Sequence, residues 1–164
     1  MAVGGCLSAA ANEADQKRLA IERQFRSGQT VQALQSIERA VIDQPEDAAL
    51  RFLQGVMLSE SRREDEAMRV FQRLTEDFPG LPEPYNNLAV LHAGQGRLDR
   101  SRELLETALR NDPGYRTAHL NLGDVFVRLA LRSYESAVGN DRVDEGLQRK
   151  LRLARDLAGA SAKP

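Results

Sequence analysis

The sequence repeats one pattern three times: ALQSIERAVIDQP at 33–45, AMRVFQRLTEDFP at 67–79 and SRELLETALRNDP at 101–113. Each copy begins with a small residue, carries a large apolar residue four positions later and ends in proline; successive copies are 34 residues apart. Apolar residues at this spacing predict an amphipathic helix, and proline ends it because its ring clashes with the preceding turn. A fixed 34-residue period predicts an array of helix-turn-helix units.

A second set of positions shares the same period upstream of each pattern. Small residues recur at Gly55, Ala89 and Gly123, where they would let two helices approach closely. Large apolar residues are expected to fill the opposite sides of these contacts. These positions hold Ile37, Phe71 and Leu105; Leu88 and Leu122; and Leu58 and Phe126, with His92 between the last two.

These positions together resemble the tetratricopeptide repeat family. The resemblance covers units 14–47, 48–81 and 82–115 and continues into an atypical fourth unit, 116–158, whose second half loses the period at Glu135 and Leu147. It implies an all-α fold, a right-handed α-solenoid of antiparallel helix pairs. About eight helices are expected, in one domain over residues 12–158, with a flexible tail at 159–164.

Helix boundaries follow from capping residues, proline and glycine. Asn12, Thr30 and Asp141 are predicted N-caps, and Pro82 and Pro84 fit a helix start. The last helix, with an apolar stripe that includes Leu151 and Leu157, is expected to cap the array. The predicted helices are 13–27, 30–43, 46–60, 64–77, 83–94, 98–111, 115–138 and 142–158.

Charge and hydropathy narrow the partner class. The 164 residues carry a net charge of −1, which disfavours a nucleic-acid role, because binding to a phosphate backbone depends on excess positive charge. No apolar run approaches the roughly 18 residues that span a bilayer. The sequence therefore predicts neither nucleic-acid binding nor a membrane span.

Residues 1–11 are apolar and small, unlike the charged segment that follows, and are predicted to be an unstructured leader or signal-peptide remnant. Ala9-Ala10-Ala11 fits cleavage before Asn12, whereas Val3-Gly4-Gly5-Cys6 resembles a bacterial lipobox with Cys6 as the lipid attachment site. The two processing events exclude one another. Export to the bacterial periplasm or envelope is favoured, with a cytoplasmic location as the alternative.

The sequence contains no recognisable catalytic or metal-binding motif. His92 and His119 are the only histidines and fall at packing positions, while Cys6 is the only cysteine. Zinc sites need clustered Cys and His ligands, and phosphate loops need a longer glycine pattern than Gly94-Gln-Gly96. We therefore predict no metal, no cofactor and no enzymatic activity.

The family resemblance implies a concave groove, lined by the first helix of each unit, that binds a protein or peptide. Asn87 and Asn121 match across one period, and an amide could hold a peptide main chain through its donor and acceptor. The carboxylate clamp of the co-chaperone members is not expected, because Glu22, Leu53 and Glu83 replace its residues. The predicted groove residues are Arg18, Phe52, Leu53, Val56, Asn86, Asn87, Val90, Asn121 and Asp124.

The alternative function is structural. The atypical fourth unit, or the long helix after Tyr115, could pack on a second copy of the chain and form a homodimer. A remote alternative is catalysis by His92 or His119. The partner itself cannot be named from the sequence, since a fold of this kind accepts unrelated ligands.

Overall fold

Eight helices joined by short connections make up the part of the chain described by the computed structural model, residues 4–138 and 144–161; side chains are described for 15–138 and 144–160. These residues contain no β-strand. The predicted all-α fold class is confirmed. The helices are α1 (Gly4–Arg26), α2 (Thr30–Asp43), α3 (Ala48–Glu60), α4 (Glu64–Asp77), α5 (Pro82–Gly94), α6 (Leu98–Asn111), α7 (Arg116–Ala137) and α8 (Glu145–Ser161).

The repeat signals predicted most helix boundaries correctly. The bounds of α2, α4 and α6 coincide with the prediction, and Pro82 occupies the first turn of α5. Asp47 caps α3, since its carboxylate accepts hydrogen bonds from the backbone amides of Ala49 (2.9 Å) and Leu50 (3.0 Å). Thr30 was wrong as a cap, because Gln29 holds that position and makes no side-chain capping bond.

The two ends of the chain differ from the prediction. Helix α1 begins at Gly4, so Asn12 lies inside a helix and residues 4–11 are helical. Helix α8 extends to Ser161, into the segment predicted to be a flexible tail. The side chain of Cys6, and Asp141 as a whole, lie outside the described residues. Processing of residues 1–11 stays a prediction.

The turns inside the first three units share a left-handed backbone position. Gly28 (φ 86°), Arg62 (φ 62°) and Gly96 (φ 76°) follow one another at the repeat period. Glycine adopts this conformation without steric cost, whereas an L side chain pays about 1 kcal/mol. The second unit therefore makes the same turn with a less suitable residue.

Contacts divide the chain into two compact units, Met1–Phe78 and Pro79–Pro164. The predicted single domain over 12–158 stays a prediction. In the first unit, α3 packs on α4 and the small and large positions meet as predicted. Ala33, Ile37, Ala67, Phe71 and Leu74 are fully buried there, and Leu58 is 5% exposed.

In the second unit, α5 packs on α6 and α7 packs on α6. The predicted packing positions of the third repeat are buried. They are Leu88, Ala89, Ser101, Leu105 and Ala108. Within residues 4–138 and 144–161, no helix combines the length and apolarity that crossing a lipid bilayer requires.

The fourth unit departs from the period because α7 does not stop where α5 does. Helix α5 ends at Gly94, and one period later is Arg128, yet α7 continues to Ala137. Helix α8 contacts the last turns of α7: the Arg155 guanidinium lies 3.2 Å from the Glu135 carboxylate, and Lys150 lies 5.8 Å from the Tyr134 ring centroid.

This placement corrects several packing predictions. Leu151 and Ala154 of the predicted stripe are buried, but Leu157 is 56% exposed. Phe126 was expected in the core and is 49% exposed, and Gly123 is exposed as well. Both lie on the part of α7 that α8 leaves uncovered.

Candidate functional site

An open cavity of about 570 Å³ lies in the second unit among α5, α6 and α7, with Ala158 of α8 at its edge. Three of the predicted groove residues, Val90, Asn121 and Asp124, line it. Its apolar walls come from the last turns of α5, the buried face of α6 and the middle of α7. Their main contributors are Val90, Ala93, Leu98, Leu105, Val125 and Leu131.

Ser101 places a hydroxyl group among these apolar walls. The residue is fully buried, and its Oγ has no hydrogen-bond partner among the described residues. Leaving such a group unsatisfied costs about 1–3 kcal/mol. The sequence pattern predicted only a small packing residue at Ser101. Alanine holds the matching positions 33 and 67, so the serine was the one indication in the sequence of a polar group at this contact.

Two arginines of α7 border the cavity and are held by α5 and α6. Arg128 donates to the Ala93 carbonyl oxygen at 2.9 Å, and Arg132 lies 2.9 Å from the Asp99 carboxylate. Together with Asp124 they give the apolar cavity a charged rim. Such a combination suits an apolar group flanked by polar or charged ones.

The predicted groove asparagines have different environments. Asn121 Nδ2 donates to Asn86 Oδ1 at 2.8 Å, which joins α7 to α5, and Asn86 is 5% exposed. Asn87 Nδ2 donates to the Glu83 carbonyl oxygen of its own helix at 2.9 Å. Asn87 and Asn121 therefore match in sequence but not in hydrogen bonding. Their binding of a peptide main chain stays a prediction.

The predicted groove residues of the first unit belong to that unit alone. Arg18 donates to the Asp15 carboxylate at 3.0 Å. The Phe52 ring packs against Phe71, with ring centroids 5.7 Å apart, and Leu53 packs against the core formed by α1, α2 and α3. Val56 is half-buried. Phe52 and Leu53 thus contribute to the core as well as to the surface.

Family comparison agrees with the repeat geometry. The sequence profile described as Tetratricopeptide repeat matches residues 19–82 and 86–140. The chain belongs to the tetratricopeptide repeat family. The resemblance predicted from the spaced prolines and small residues is therefore confirmed.

One curated relative of this tetratricopeptide repeat chain is human Tetratricopeptide repeat protein 16. The two are 28% identical over 149 residues, which cover 80% of this chain. They cover only 17% of the human protein's length. The remainder of that protein therefore has no counterpart in the match.

Solved structures of tetratricopeptide repeat proteins share the fold. YrrB, described as having an unusual peptide-binding site, is 27% identical with a TM-score of 0.58; the match covers 64% of this chain and 54% of YrrB. The Yersinia enterocolitica type III secretion chaperone SycD, solved with a peptide of the translocator YopD, is 13% identical with a TM-score of 0.64. That match covers 72% of this chain and 95% of SycD.

The two histidines of this tetratricopeptide repeat chain make structural contacts. His92 Nδ1 accepts a hydrogen bond from Arg97 Nε at 2.7 Å, and His119 Nε2 lies 3.0 Å from the Pro113 carbonyl oxygen. His119 is exposed, so its predicted packing role is wrong. Among the described residues, no group of three His, Cys, Asp or Glu could hold a metal ion.

Acidification is expected to destabilise the fold through His92. Burial, followed by the charges of Arg97 and Arg100, lowers the pKa of His92 below its usual 6.5. The unfolded state therefore binds more protons just below pH 6.5, so the free energy of unfolding falls as pH drops through that window. Urea unfolding at about pH 7 and about pH 5 should show a smaller loss for His92→Gln than for the wild type. His119→Gln is the control and should lose as much stability as the wild type. If His92→Gln also lost as much, His92 would not be the cause of the destabilisation.

Proposed function

We propose that the chain is a protein-interaction module that binds a peptide or helix of a protein partner in the groove formed by the first helices of its repeats. Within the second unit, the partner would place an apolar side chain in the cavity among α5, α6 and α7. The observation that carries this proposal is the cavity itself, an open apolar space lined by three of the predicted groove residues, Val90, Asn121 and Asp124.

The chemistry of the cavity favours an amphipathic ligand. Its volume of about 570 Å³ falls within the roughly 300–1,000 Å³ of typical ligand sites. Apolar walls favour an aliphatic or aromatic side chain, while Asn121 and Asp124 place polar groups in the lining beside it. An extended peptide or a helix carries both kinds of group.

The relatives support a peptide ligand. YrrB is described as having a peptide-binding site, and SycD binds a peptide of a translocator. The histidines already serve structural contacts, which leaves binding as the function we propose rather than catalysis. No cofactor is needed for this role.

Placing a charge at the cavity is expected to weaken partner binding strongly. Val90 is 49% exposed on α5, so Val90→Glu should fold while setting a carboxylate against the ligand's apolar side chain. Disruptive substitutions at central interface positions cost about 2 kcal/mol or more of binding free energy, which is about a 30-fold loss of affinity. Proteins captured from the native host by the wild-type chain should be measured for binding to the variant by titration calorimetry.

Val31→Glu is the matched control. Val31 is 65% exposed on α2, outside the cavity, and the same change there should leave affinity unaltered. If Val90→Glu binds as tightly as the wild type, the cavity is not the binding site. Equal losses in both variants would indicate a general effect of charge and would also contradict the proposal.

Export to a bacterial envelope remains part of the proposal, supported by the small, apolar residues 1–11. Intact-mass measurement of the protein from its native host tests it. Cleavage before Asn12 or a lipid on Cys6 would support one of the two processing routes. A mass that includes unmodified residues 1–11 would contradict both.

A further inference from the structure

One face of α7 is uncovered in the second unit. This open α7 face consists of the exposed residues His119, Gly123 and Phe126 and the partly buried Leu122, which lie on adjacent turns of the helix. The same repeat positions in α5 pack against α6, and Leu88 and Ala89 are buried there. Helix α7 instead turns Ala118 and Val125 toward the core, and α8 contacts it near Tyr134 and Glu135. Neither the packing of α7 in the core nor its contact with α8 covers Gly123 or Phe126.

The first unit identifies the kind of side chain that such a face receives. Gly55 holds the same repeat position as Gly123, and a Cβ there would lie 2.6 and 2.8 Å from atoms of the Phe71 ring. The glycine thus allows an aromatic ring to lie directly against the helix. At Gly123, apart from the adjoining backbone of α7 itself, no atom of the described residues lies within 4 Å of an equivalent Cβ. The open α7 face therefore has the glycine of this glycine–aromatic pair, but none of the described residues places an aromatic ring against it.

We propose that a second copy of this chain covers the open α7 face, and that Phe126 supplies the ring. Phe126 is the only aromatic residue among the exposed large apolar side chains of the described residues. It lies on the same face as Gly123, about one turn away. Two α7 helices that cross antiparallel about a two-fold axis therefore place Phe126 of each copy against the partner's Gly123, the self-complementary pattern that a two-fold dimer requires.

The charges along α7 permit this arrangement. With Phe126 opposite the partner's Gly123, the antiparallel register brings His119 opposite the partner's Ala130 and Arg116 opposite the partner's Ser133. No like charges are opposed. The two acidic residues of α7 point elsewhere, since Asp124 lines the cavity and Glu135 pairs with Arg155.

The size of the face sets the expected strength. A stable dimer buries about 800 Å² on each partner, and a few turns of one helix provide less than that. The dimer should therefore be concentration dependent, with a dissociation constant of about 1 µM or weaker. It is independent of the groove, because the cavity residues and the open α7 face lie on different sides of α7.

Analytical ultracentrifugation of the full chain, from about 1 µM to about 1 mM, tests the proposal. The wild type should shift from monomer to dimer across this range. Phe126→Ala should weaken association about tenfold or more, since it removes the ring, and Gly123→Phe should weaken it similarly by obstructing the partner's ring. Ile42→Ala, at a 72% exposed apolar residue of α2, is the control and should associate like the wild type.

A side-chain exchange tests the geometry. In the double variant Gly123→Phe with Phe126→Ala, the large and small residues trade places, so antiparallel pairing about a two-fold axis should restore most of the association lost in each single variant. Circular dichroism checks that each variant folds. A wild type that stays monomeric throughout would overturn the proposal and leave the face to another protein. Association unchanged by Gly123→Phe would also overturn it, and failure of the exchange to restore association would exclude this pairing.

The same measurements separate this proposal from groove binding. Val90→Glu should lose the partner and retain the dimer, because Val90 lines the cavity. Gly123→Phe should lose the dimer and retain the partner. Loss of both activities in either variant would contradict the independence of the two surfaces.

Discussion

Phe71→Ala should lower the free energy of unfolding by about 3–5 kcal/mol, the range for removing a buried aromatic side chain. Phe71 is fully buried, and its ring lies directly against Gly55. The centroids of the Phe71 and Phe52 rings are 5.7 Å apart. Truncation would leave a cavity between α3 and α4. Because neighbouring side chains can refill only part of that space, the lost contacts are not recovered.

Urea unfolding followed by circular dichroism gives the change, and amide hydrogen exchange should locate faster opening in α3 and α4. Phe126→Ala is the matched control, because the residue is 49% exposed. Measured at low protein concentration, it should cost less than about 1 kcal/mol. A similar cost for both substitutions would show that Phe71 does not hold the two helices together as the structure indicates.

The difference between these two aromatic residues marks the limit of what the sequence could predict. Both fall at positions that the repeat period assigns to large apolar side chains, and only Phe71 is buried. Burial within each of the first three repeats depends on contacts between residues near in sequence, since the second helix follows the first after a short turn. The period therefore predicted the core residues Ile37, Leu74 and Leu105 correctly.

Contacts that depend on the position of α8 could not be predicted from the sequence. The length of α7 was predicted from its unbroken run of helix-forming residues up to Val138, but the position of α8 on its last turns was not. That position decides the exposure of Gly123 and Phe126 and sets Ala158 at the cavity edge. A hydrophobic stripe indicates that a helix packs, without indicating where.

In the candidate site, too, some features were predicted from the sequence and others were not. The family resemblance predicted that Val90, Asn121 and Asp124 would share a surface, and they line one cavity. It did not predict that Asn121 would bond to Asn86, because both amides were expected to face a ligand. Side-chain hydrogen bonds between helices depend on their crossing geometry, which a repeat pattern leaves open.

Gly55→Leu should lower the free energy of unfolding by about 3 kcal/mol or more, whereas Gly123→Leu should leave it unchanged or raise it by up to about 1 kcal/mol. At Gly55 even a Cβ would stand 2.6 Å from the Phe71 ring, so a larger side chain forces α3 and α4 apart. At Gly123 a Cβ would meet no described atom within 4 Å apart from the adjoining backbone of α7, and leucine favours the helix more than glycine does.

Chemical unfolding of both variants at low protein concentration makes this comparison, because dimer formation would otherwise stabilise the wild type by mass action. The two substitutions are chemically identical and occupy one repeat position, so helix propensity contributes equally to both. Their difference therefore measures the ring that α4 supplies and the fourth unit lacks. If Gly123→Leu proved as damaging as Gly55→Leu, another element would have to cover α7 in the monomer, and its open face could not receive a second copy.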